Sequence, residues 1–233
     1  MKHILKTIAK TVKSVKGNSL AEFATTTALM ATLAATAAPK LSEMSEGAKG
    51  EKSRNEIDKI VKQAGSFYQD IADLEGRGRF PNQTKFNASI GGPSGNYNNQ
   101  GSGGTYSLAD DKAASDAHTA AVILDLVPDA QTQAERTAGW DRFDETHNNV
   151  WQLVFAAGTD NPLPSTVTGV QAASTNNEFD SLFGDEVLES KFQDGRYVYT
   201  VVAGGGTGND VYPPTIYVAD IESAVDFHNL MMP

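Results

Sequence analysis

Residues 16–39 read KGNSLAEFATTTALMATLAATAAP: a lysine and a glycine, a lone acid at Glu22, then sixteen residues, Phe23–Ala38, without a charge, closed by Pro39. Between Leu20 and Leu41 only Glu22 and Lys40 are ionisable. As a helix, the stretch approaches the roughly 20 residues that a bilayer core requires. Thr25, Thr26, Thr27, Thr32 and Thr36 dilute it, and much of the remainder is alanine. Small side chains favour close approach of helices in membranes and filaments. The segment therefore reads as a helix that leaves lipid to bundle with copies of itself.

Glu22 is the pivot of that reading. A carboxylate inside an apolar run is costly to bury unpaired and marks a functional position by default. Its natural partner is a free α-amino group, which cleavage after Gly17 creates on Asn18. The competing reading is a signal peptide or surface helix whose glutamate is merely solvated.

The order of basic leader, Gly17, Glu22 and Pro39 resembles the N-terminus of a type IV pilin or pseudopilin. The resemblance implies that a prepilin peptidase cuts between Gly17 and Asn18. Glu22 then stands at the family's acidic position, the fifth of the mature chain, and Pro39 at the twenty-second, where many members carry a helix-kinking proline. It also implies that Glu22 pairs with Asn18 of a neighbouring subunit during assembly, with Phe23 and Pro39 part of the same assembly segment. The Glu22-Phe23 pair resembles the Flp/Tad branch, whereas Pro39 and the long downstream chain are similar to type IVa pilins and type II pseudopilins, so the branch stays open. Asn18 is polar where family members usually begin with Phe or Met.

The chain has 233 residues, room for one helix-plus-head module. Residues 1–16 hold Lys2, Lys6, Lys10, Lys13 and Lys16 and no acid; without these five lysines, 14 of the 19 basic residues remain against 29 acidic ones, a formal charge of −15. An acidic head disfavours nucleic acid and anionic lipid as its main partners, since both need a basic surface. The leader lacks the apolar core and small-residue cut site of a secretory signal, so the apolar helix is expected to stay in the mature protein. Positive charge ahead of it orients its N-terminus to the cytoplasm and the head to the far side. There is no cysteine, so the head must hold without disulfides.

Beyond Pro39, LSEMSEGAKGEKS contains Gly47 and Gly50, and a bend or locally melted stretch is expected over 40–53. Ile57, Ile60, Val61, Ala64, Phe67, Ile71 and Leu74 then recur at spacings of three and four, the stripe of an amphipathic helix. Gly76, Gly78 and Pro81 end it, and residues 82–104 read as a polar surface loop with glycan-acceptor patterns at Asn82 and Asn87. A helix is expected from Ser107 to Pro128 and a second from Asp129 to about Asp144. Val150–Ala156, Arg196–Ala203 and Thr215–Ile221 read as strands, the last two as an antiparallel hairpin around GGGTGND. The expected fold is α+β. Residues 1–17 are a leader, 18–74 a long helix (18–39 filament core, 54–74 amphipathic), and 75–233 a head with a small antiparallel sheet.

No catalytic set emerges. His3, His118, His147 and His228 show no zinc-type spacing, Ser94 in GGPSGN lacks a nucleophile elbow, and neither GAKGEKS nor GGGTG has the context of a phosphate-binding loop. The chain is expected not to be an enzyme. No cofactor is called for except calcium: resemblance to type II pseudopilins, many of which bind it in a late loop, makes Asp194, Asn209 and Asp210 candidate oxygen ligands. The resemblance implies a homo-oligomeric filament whose partners are prepilin peptidase and the inner-membrane assembly machinery. Its subunits start in the cytoplasmic membrane and end in an extracellular fibre. A pseudopilin of type II secretion and a membrane-anchored binding head are the competing functions.

Overall fold

The structure, a computed structural model, describes residues 2–91, 108–126, 150–155, 170–174, 176–184, 186–190, 195–206 and 208–233. It divides into two units, Met1–Ala48 and Lys49–Pro233. One helix, α1 (Lys2–Glu75), supplies all the described structure of the first unit and opens the second.

In the second unit, the amphipathic stripe sets how α1 packs. Ile57, Ile60, Val61 and Ala64 are buried, Phe67 and Ile71 are half-buried, and Leu74 is 81% exposed, so the packed face fades towards the C-terminal end. Glycine stops the helix: Gly76 takes φ +78 and its N–H bonds the Ala72 carbonyl, a left-handed cap open to glycine without strain.

Residues 40–53, where a bend or locally melted stretch is expected, are helical throughout and not melted. Gly50 has a packing reason instead of a flexibility reason. A side chain there would meet the Phe227 ring at 3.2 Å, and Gly65 likewise leaves room for Met231, so the two glycines are notches that admit the C-terminal segment.

Five strands form one mixed sheet in the order β2-β1-β3-β4-β5: β1 (Trp151–Leu153), β2 (Val170–Gln171), β3 (Tyr197–Val202), β4 (Thr215–Asp220) and β5 (His228–Met231). The expected hairpin is present, with β3 and β4 antiparallel from Tyr197↔Asp220 to Val202↔Thr215 and a further bridge, Gly205↔Tyr212, inside its connection. One pairing departs from the expected antiparallel sheet: β1 and β2 run parallel. The strand expected over Val150–Ala156 is shorter, and β2 and β5 are additions.

Alternation divides β3 and β4 between two helices. Tyr197, Tyr199, Val201, Ile216 and Val218 join the cluster under α1. Val198, Val202, Tyr217, Ala219 and Ile221 join a second cluster with Val122 and Leu126 of α2 (Leu108–Leu126). Both faces of the central strands are thus covered. The helix expected over Asp129–Asp144 lies outside the described residues.

The loop expected over 82–104 is a loop where it is described, but one tied to the head. Asn82, in a left-handed conformation at φ 65 that asparagine tolerates, donates through its amide to Asn177 Oδ1 and Tyr199 Oη, both at 2.8 Å, and accepts from the Glu178 N–H. Arg79 grips the Glu178 carboxylate through two nitrogens at 2.8 and 3.0 Å. Glu178 opens a short helix, α3 (Glu178–Leu182), capped by Asn177. Gln83 and Ile90 are buried, and Ile90 exchanges backbone hydrogen bonds with Val201. Residues 82–90 are therefore a tied edge of the head, and the Asn82 amide is committed to structure. Residues 92–104 lie outside the described residues.

α2 is fixed by two polar bonds as well as by apolar contact. Ser115 donates to the Ala203 carbonyl, and the ring of His118, fully buried, lies 2.8 Å from Thr200 Oγ1. Thr200 gives its single hydroxyl hydrogen to the Ile90 carbonyl, so His118 Nε2 must carry the proton in that contact. Burial pushes the imidazole down from 6.5 to about 4. The folded state thus binds fewer protons than the unfolded state between those values. The docking of α2 contributes fully above pH 6.5 and is lost as pH falls towards 4. Unfolding midpoints across that range should drop on acidification in the wild type and drop less in His118→Gln.

Candidate functional site

The sequence singled out residues 16–39, and the structure gives residues 20–44 one property beyond helicity. Leu20, Phe23, Leu29, Met30, Leu33, Leu41 and Met44 are each between 63% and 74% exposed, and no part of the apolar window is buried. Fully burying one such side chain contributes about 1.5–3 kcal/mol. A helix presenting seven of them is therefore a surface that water does not favour. By length and composition, α1 contains a segment able to cross a membrane.

The threonines, which made this segment look too polar for lipid, turn their hydroxyls onto their own helix. Thr25 and Thr26 bond the Glu22 carbonyl at 2.9 Å, Thr27 the Phe23 carbonyl at 2.7 Å, Thr32 the Leu29 carbonyl at 2.9 Å and Thr36 the Thr32 carbonyl at 3.0 Å. Each donor is satisfied internally and leaves mainly a methyl and a shielded oxygen outside. The sequence contained this signal, since threonine at any interior helix position finds the carbonyls three and four residues back.

Gly17 and Asn18 both lie within α1, and their side chains are outside the description. Glu22 and Phe23 are exposed, and among the described residues the Glu22 carboxylate has no ion-pair partner. The helix runs through Pro39. Proline lacks the N–H that would bond the carbonyl four residues back and crowds it, at a cost of about 3 kcal/mol or more.

The calcium candidates are not brought together by any described geometry. Asp194 lies outside the described residues, Asn209 and Asp210 are exposed in the β3–β4 connection, and no described group of three or more metal-type ligands exists.

A polar cluster escaped the sequence reading. Ser53 and Glu56 are buried on α1, where Tyr197 donates to Glu56 Oε2 at 2.7 Å and the Ser53 and Ser190 hydroxyls lie 3.2 Å apart. Burial, reinforced by the Glu56 carboxylate, drives the Tyr197 hydroxyl strongly up and keeps it a donor. The available signal was spacing: positions 53, 56, 57, 60 and 64 lie on one helical face, so the two polar residues belong to the buried stripe.

Comparison with protein-family models, with curated proteins and with solved structures finds no match to this chain.

Proposed function

We propose that this chain is the structural subunit of a type IV pilus-like filament, processed by a prepilin peptidase and assembled through the N-terminal part of α1. One observation carries the reading: residues 20–39 form an exposed, largely apolar helix with its threonine hydroxyls turned inward and a lone carboxylate, Glu22, near its start. A membrane covers such a helix before assembly, and copies of the same helix cover it afterwards. The covering is what the subunit is built to exchange.

Glu22 gives the exchange its register. In an apolar bundle its carboxylate needs a cation, and the α-amino group of a neighbouring Asn18 supplies one after cleavage. The head contributes a self-supporting core with α1 on one face of the sheet and α2 on the other. No chemistry is asked of it.

Processing is the first consequence. Intact mass of the protein from assembled material should match a chain beginning at Asn18, with 17 residues removed from the 233. A chain still beginning at Met1, or cut after an alanine such as Ala35, contradicts the proposal. The secretion-piston and anchored-head readings differ from it in assembly alone.

A further inference from the structure

On the face of the sheet that α1 covers, β4 presents Ile216, Val218 and then Asp220, a fully buried carboxylate in line with two core side chains. Asp220 Oδ1 accepts from the Glu222 N–H at 2.9 Å, and the Ser190 hydroxyl and the Ser223 N–H also bond the carboxylate. Oδ2 has no hydrogen-bond partner among the described residues. Across the interface stands Glu56 of α1, which takes the hydroxyl hydrogen of Tyr197 on Oε2 and has Lys52 Nζ 3.3 Å from Oε1. Lys52 is roughly half exposed and sits on the Glu56 side, so the cation compensates one carboxylate of the two. From the residue before β5, the Phe227 carbonyl accepts from the Asp220 backbone N–H and brings no charge. Glu56 is the charged side chain that acts on Asp220, and it repels.

We propose that Glu56 and Asp220 form a proton-dependent latch between α1 and the sheet, tight while the pair holds one proton and weakened when both carboxyls are ionised. A proton on Oδ2 removes a buried charge that hydrogen bonds stabilise but no cation among the described residues offsets. Its loss puts two negative charges into a site closed to water, where neither solvation nor a second cation is at hand. Burial first, and the Glu56 charge after it, raise Asp220 above its usual 3.8, against the lowering by its hydrogen bonds. The folded state therefore binds more protons than the unfolded state above pH 3.8, and this contribution to stability is lost as pH rises through the folded value. The sign is opposite to that of His118 under α2, so one sheet carries on one face a helix whose hold weakens as pH rises from 3.8 and on the other a helix whose hold weakens as pH falls from 6.5.

The test is hydrogen exchange of peptides covering residues 53–61, in the full chain held in detergent, comparing each variant with the wild type at the same pH. Asp220→Asn keeps the side-chain shape and removes the charge. Glu56→Gln removes the opposing charge and keeps an oxygen for Tyr197 to bond. At alkaline pH the segment should exchange several-fold to tenfold more slowly in both variants than in the wild type, a tenfold change corresponding to about one pKa unit of relieved repulsion. At acid pH the three proteins should exchange alike, and residues 108–126 should not respond at either pH. If Asp220→Asn does not fold, Glu56→Gln carries the comparison alone. A variant-to-wild-type ratio that is the same at both pH values, or faster exchange in the variants at alkaline pH, overturns the latch.

Discussion

Replacing Glu22 by alanine is expected to abolish assembly while leaving the protein processed, folded and in the membrane. The head is untouched, because Glu22 lies in the first unit and every core residue among the described residues lies in the second. The loss arises in the bundle, where an ammonium on Asn18 then has no counter-charge. Removing one half of a buried ion pair leaves a charge that the apolar surroundings cannot solvate, and a loss of roughly a hundredfold or more in subunit association is the scale to expect. Glu22→Gln separates the contributions, since the amide accepts a hydrogen bond but does not neutralise the ammonium. It should assemble poorly rather than well. The readout is the amount of sheared surface fibre against total subunit in the membrane. Wild-type yield from both variants would make Glu22 a solvated bystander.

The second large effect lies in the head and should be separable from the first. Ile60 is fully buried between α1 and the sheet, in the cluster with Tyr197, Ile216 and Val218. Ile60→Ala removes that packing and leaves a cavity, with an expected cost of about 2–5 kcal/mol. For a unit of this size that lowers the unfolding midpoint by roughly 2–4 °C per kcal/mol. Leu33→Ala, at a residue 66% exposed, should leave the head within about 0.5 kcal/mol of the wild type and weaken assembly instead. Thermal unfolding and fibre yield, measured on both variants, form the comparison. Equal destabilisation of the head by the two would mean that residues 20–48 belong to its core after all.

Much of this architecture was legible because it rests on period and on stop signals. The spacing of Ile57, Ile60, Val61 and Ala64 showed the helical face that α1 buries, and Gly76 its end. Val198–Val202 and Ile216–Ala219 are β-branched or aromatic at most positions, which made the central hairpin visible. β5 was not visible, since HNLM has neither the length nor the composition of a strand and owes its conformation to pairing with β4 and to the notch at Gly65. β2 has two residues and a parallel partner, a pairing that no local pattern records.

The polar positions were harder for a physical reason. Asn82 was read as part of an Asn-rich loop, and its value lies in reaching Asn177, Glu178 and Tyr199, about a hundred residues on in the sequence. Gly47 and Gly50 have the same low helix propensity, yet Gly50 alone of the two lies under a ring, that of Phe227, which a side chain there would crowd. The exposed helix was legible from its composition, and the bonding of its threonine hydroxyls to carbonyls three and four residues back follows from their interior helix positions. Glu22 was found by sequence because a lone acid in an apolar run is conspicuous. Asp220 was missed because an acid at a strand end looks like any solvated loop residue.

Electron microscopy of material sheared from cells producing this protein, with mass analysis of its main component, tests the central claim most directly. The account predicts a long, uniform fibre made of this chain, beginning at Asn18. A chain that stays wholly in the membrane fraction as a monomer, with no fibre containing it, contradicts the account and leaves an anchored head in its place.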